Sequence, residues 1–97
     1  MNEPVIMLVD NGSKRAASTR GLRALAAALA DACGCMVHPV SLQHADHVAA
    51  YQLDGRAANV FPTFVREQLQ QGVRRFIVLP LFFGPSRIIM CSIFGTP

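Results

Sequence analysis

Val5-Ile6-Met7-Leu8-Val9-Asp10-Asn11-Gly12-Ser13-Lys14 is the stretch on which the fold turns. Its five leading apolar residues are too few for a core helix and do not alternate with polar ones. That pattern suits a central parallel strand buried on both faces. Pro4 sets the start, Gly12 supplies a tight turn, and an alanine- and leucine-rich segment follows at 16–32. A strand, a glycine turn and a helix N-terminus are the parts α/β proteins use to meet ligands at the carboxyl edge of a sheet. Asp10 and Asn11 would face that crevice, and the amides of residues 12–14 would face an anion with help from the helix dipole. A plain strand–helix connection reads the same way, so the rest of the chain has to decide.

Outward from the turn, Leu22, Leu25, Ala26, Leu29 and Cys33 form one apolar helical stripe. Arg20, Arg23, Ala27 and Asp31 fall on other faces, and Gly34 stands where a helix C-terminus wants a left-handed residue. Residues 36–42 predict a second strand, marked as an edge by Pro39. A polar connection over 43–56 carries His44, Asp46 and His47. Asn59 is placed to cap a second helix with Pro62 in its first turn, Phe61, Phe64, Val65 and Leu69 on its buried side, and Gly72 at its end. Residues 75–83 predict a third strand around Phe76-Ile77-Val78-Leu79, with Pro80 ending regular pairing. The order β-α-β-α-β with right-handed crossovers gives an α/β fold, a three-stranded parallel sheet of order 2-1-3 with flanking helices. His44 and the Phe82-Phe83-Gly84-Pro85-Ser86-Arg87 segment then emerge at the same sheet edge as Asp10.

Bulk properties narrow the function classes. Ninety-seven residues, 52% of them hydrophobic, make a single domain. A net charge of +3, spread over eight arginines and Lys14, fits an anionic small molecule. No basic patch is interleaved with aromatics, so no nucleic acid is expected. Cys33, Cys35 and Cys91 suggest neither a disulfide framework nor a zinc site, and read as small buried hydrophobes in a reducing cytoplasm. No signal peptide or membrane span is expected, since the N-terminal apolar run is only five residues.

Three stretches together resemble a known family. They are the opening turn at 9–14, Ser41-Leu42-Gln43-His44-Ala45-Asp46, and the long run from Gln68 through Arg74-Arg75-Phe76-Ile77-Val78-Leu79-Pro80 to Phe83. Over residues 5–90 the chain resembles the small sirohydrochlorin cobaltochelatases, the CbiX type of the class II chelatases. The resemblance implies a flavodoxin-like sheet with its cleft above the strand ends. It implies a carboxylate-rich tetrapyrrole of cobalamin or sirohaem biosynthesis as ligand. A divalent metal, cobalt or iron, would be a substrate, and no covalently bound cofactor is implied.

Family members use a histidine after the first strand, a glutamate after the second and an Arg-His pair after the third. Here Asn11, Gln43 and Ile88 occupy those places, while Gly12, Ser13 and Arg87 match. Asparagine takes no proton at neutral pH, and isoleucine neither ligates nor transfers protons. The expectation is therefore that macrocycle binding outlasts metal insertion. The residues assigned to chemistry are Asp10, Asn11 and His44, with His44 also as metal ligand. Those assigned to the substrate are Gly12, Ser13, Lys14, Gln43 and Arg87, with Arg15 at the rim for carboxylates.

Several of these residues carry a second reading. Asp10 either orients a ligand or caps its own turn. His44 and His47 either replace the missing ligands or lie in a solvated loop, and Phe82 and Phe83 stack on a macrocycle or pack in the core. Family members continue with a further helix, strand and helix, so a chelatase-like domain incomplete at its C-terminus is expected. The third strand would be an open edge, available to a second copy in a homodimer.

Overall fold

A computed structural model of the chain describes residues 3–81 and the backbone of residues 91–93. Its elements run β1 (Val5–Asp10), α1 (Ala16–Cys33), β2 (Val37–Ser41), α2 (Phe61–Gln70), β3 (Phe76–Leu81) and β4 (Cys91–Ile93). Strands β2, β1 and β3 lie in that order, and both pairs with β1 are parallel, as the crossover rule requires. The α/β class and the 2-1-3 order hold.

One extension was not anticipated: β4 runs antiparallel along β3, pairing Phe76 with Ile93 and Val78 with Cys91. The edge expected to await a second copy is therefore occupied over those residues by the chain itself. Pairing of β3 with β1 also continues through Pro80 to Leu81, beyond the expected stop. Phe82, Phe83, Arg87 and Ile88 lie outside the described residues.

Strand alternation divides the core in two. Met7, Val9, Val40, Phe76 and Val78 point to one face and pack with Phe64 and Val65 of α2. Leu8 and Val37 point to the other, against Leu22 and Ala26 of α1, with Ile6, Leu79 and Leu81 only partly covered. Helix α1 ends as expected on left-handed Gly34 (φ 71°), whose N–H donates to the Ala30 carbonyl. Its outer stripe departs from expectation. Leu25 is 40% exposed, and Cys33 and Cys35 are exposed rather than buried.

Two other details differ. The residue capping α2 is Val60, without a side-chain hydrogen bond. Asn59 instead donates from Nδ2 to the Pro39 carbonyl (3.2 Å), and its backbone carbonyl accepts from the Ser41 N–H (3.0 Å), closing the outer edge of β2 where Pro39 has no donor. The 43–56 connection is polar outside but folds into two short 3₁₀ turns, Ala45–His47 and Ala50–Leu53. They bury Ala45, Val48 and Leu53. Two arginines of α1 hold it: Arg20 donates to the Gln52 carbonyl, and Arg23 to Leu53 (2.9 Å) and Arg56 (2.7 Å). Partial burial, then the neighbouring Arg56, lowers the Arg23 pKa, and Asp54 opposes the shift. No helix of the described residues is long and apolar enough to cross a membrane.

Candidate functional site

Asp10 is the last residue of β1, on the α1-facing side of the sheet by alternation from Leu8. Its backbone carbonyl accepts the Leu42 N–H at 2.9 Å, which ties the two strand exits together. Its side chain is 8% exposed, and Oδ1 is buried without a hydrogen-bond partner. It therefore does not cap the following turn. An orphaned buried carboxylate oxygen is costly.

The turn after Asp10 is built by close approach. Gly12 has φ +94°, and a Cβ there would sit 1.7 Å from the Gln43 carbonyl oxygen. Only glycine lets the β1–α1 loop lie against the β2 exit in this way. Ser13 Oγ accepts the Arg15 N–H (3.0 Å), which shapes the entry to α1. No side chain caps the first turn of α1, and no acidic residue lies in it. Within that turn the Ser18 N–H donates to the Arg15 carbonyl (3.1 Å), and the positive end of the helix dipole lies beside exposed Lys14 and Arg15, where an anion would be favoured.

A cleft of about 510 Å³ opens between this turn, α1 and the end of β3. Asp10, Asn11, Gly12 and Ser13 form its polar part. Leu22, Leu25 and Leu81 form an apolar wall, and the space exists because α1 presents Ala17 and Gly21 there. A Cβ on Gly21 would meet nothing within 4 Å. Asp10 is the single titratable side chain among the described residues lining the cleft.

The structure thus gathers Asp10, Asn11, Gly12 and Ser13 and leaves other expected residues apart. Lys14 is exposed at the rim. Gln43 contributes its backbone against Gly12 while its side chain is exposed. His44 is exposed, with a left-handed backbone (φ 73°), and does not line the cleft. Its ring lies 6.4 Å from that of His47, whose Nε2 is 3.9 Å from Asp46 Oδ1 in a solvated pair. Among the described residues no three histidine, cysteine or acidic side chains are grouped to hold a metal.

Sequence reasoning missed Ala17, Gly21 and Leu25 as cleft-forming residues. Their signal was an i, i+4, i+8 row of two small residues and one apolar one, with glycine in a helix interior at a cost of about 1 kcal/mol. Compared with known proteins, the chain matches no family model, and neither a curated protein nor a solved structure is significantly similar to it.

Proposed function

We propose that this chain is a cytoplasmic chelatase-like protein of tetrapyrrole metabolism. It holds a carboxylate-rich macrocycle such as sirohydrochlorin in the cleft at the carboxyl end of β1. The observation that carries this reading is the buried, unpartnered Oδ1 of Asp10 beneath a helix N-terminus without a side-chain cap. The cleft is bipolar: an acceptor at its floor calls for an N–H donor, and donors at its rim call for carboxylates. A tetrapyrrole carries pyrrole N–H groups at its centre and carboxylates at its periphery. Leu22, Leu25 and Leu81 offer an apolar wall to the flat ring.

Asp10 is the residue assigned to accept hydrogen bonds from the pyrrole N–H groups, because it lines the cleft and His44 does not. Asn11 beside it hydrogen-bonds without taking a proton. With one titratable group in the described lining, holding the macrocycle is the principal activity. Inserting cobalt or iron is the lesser one, so a carrier or regulatory module is favoured over an efficient lyase.

Titrating the protein with sirohydrochlorin, then with cobalt(II), under visible absorption tests this. The expected result is a saturable shift of the macrocycle bands, followed by metallation no faster than in the protein-free control. Acceleration over the control would make the protein an enzyme with relocated chemistry. No shift at all would remove the tetrapyrrole reading and leave the fold.

A further inference from the structure

Cys33-Gly34-Cys35-Met36 places three sulfur-bearing side chains within four residues at the end of α1. Both thiols are exposed, and Met36 is 69% exposed. Cysteine and methionine are among the residues most often found buried, so three exposed sulfurs in one turn call for an explanation. The turn is pinned: Gly34 is left-handed, and the N–H groups of Gly34 and Cys35 both donate to the Ala30 carbonyl at 2.8 and 3.3 Å. The two cysteines therefore flank a single residue of fixed conformation. The last turn of α1 has no basic side chain, and Asp31 is exposed beside it, so the local field favours a cation.

Thiolate and thioether ligands select soft ions such as Cu(I), whereas zinc asks for four ligands. We propose that Cys33, Cys35 and Met36 form a surface site for Cu(I), held by two thiolates and one thioether. Binding displaces one proton from each thiol and involves no electron transfer. The site is separate from the cleft: Leu25, the cleft residue furthest along α1, precedes Cys33 by about 12 Å at 1.5 Å per residue.

The test is a competition for Cu(I) between the reduced protein and a colorimetric Cu(I) chelator, without oxygen, with circular dichroism to verify folding. One Cu(I) per chain is expected, held more tightly as pH rises because protons are displaced. C33S and C35S should each abolish it, C91S should keep it, and M36L should weaken it by about tenfold. Wild-type retention of Cu(I) by a folded C33S/C35S double variant would overturn the proposal. Unchanged affinity in M36L would remove the thioether from it.

Discussion

The two faces of the sheet are made from the same strands and reach opposite ends. Toward α2, Met7, Val9, Val40, Phe76 and Val78 meet Phe64 and Val65 in one buried cluster. Toward α1, the strands offer Leu8 and Val37 to Leu22 and Ala26, but near the strand ends α1 presents Ala17 and Gly21. The cleft opens there, with Asp10 at its floor. Alternation along a strand decides which face a residue joins. The size of the helix residues opposite decides whether that face becomes core or site. On the α2 side, mutations should register as stability; at the cleft end of the α1 side, as binding.

The largest effect should come from Phe76→Ala on the α2 face. Phe76 is fully buried, so its truncation should cost about 3–5 kcal/mol in urea unfolding. Leu25→Ala, by contrast, should change stability little and weaken ligand binding. Equal losses of stability in the two variants would break the comparison. Next is Gly12→Ala, where a methyl meets the Gln43 carbonyl in a left-handed backbone. A loss of roughly 1–3 kcal/mol or more is expected in the same assay. A wild-type unfolding midpoint would show that the loop does not lie against the β2 exit.

Gly21 sharpens the contrast from the open side. Gly21→Ala should raise the melting temperature, worth about 0.5–1 kcal/mol, because the added methyl meets open space. Gly21→Met should keep a stable helix while filling the cleft and blocking the macrocycle. Unimpaired binding by Gly21→Met would place the ligand elsewhere.

The smallest effect concerns His38, whose ring lies 5.2 Å from Phe64 on the α2 side and whose pKa is lowered by burial. The folded state therefore resists a proton that the unfolded chain accepts near its ordinary value of about 6.5. Stability should be unaffected well above that pH and fall as pH drops through it, levelling off below the folded pKa. His38→Gln should flatten this slope in melts taken across the range; an unchanged slope would assign it to other groups.

Much of the fold was legible because local and tertiary signals agree. The run Val5 to Val9 is apolar on both sides of the pleat and is the central strand, and Gly34 ends α1 as its position suggested. β4 was not legible, because three residues, Cys-Ser-Ile, carry no period of their own and gain strand structure by pairing with β3. Asn59 looked like a helix cap because its side-chain oxygen suits one; instead the residue sits one place before the cap, and its Nδ2 and backbone carbonyl bond the edge of β2.

In the site, Asp10 to Ser13 could be read from the strand–glycine–helix order. The placement of His44 could not, since a left-handed backbone at one residue redirects the loop. Leu25 and Cys33 matched the apolar stripe, yet the cleft and the helix end leave them exposed. Periodicity reports which face a residue joins, not whether anything covers it.

The central claim is that Asp10 leaves a buried oxygen unpaired because a ligand completes it. Binding of sirohydrochlorin and thermal melting of the free protein, measured together for wild type and Asp10→Ala, test it most directly. The expected result is a variant stabilised by about 1 kcal/mol without ligand that no longer binds the macrocycle. A variant that binds as wild type does would contradict the claim, whatever its melting temperature.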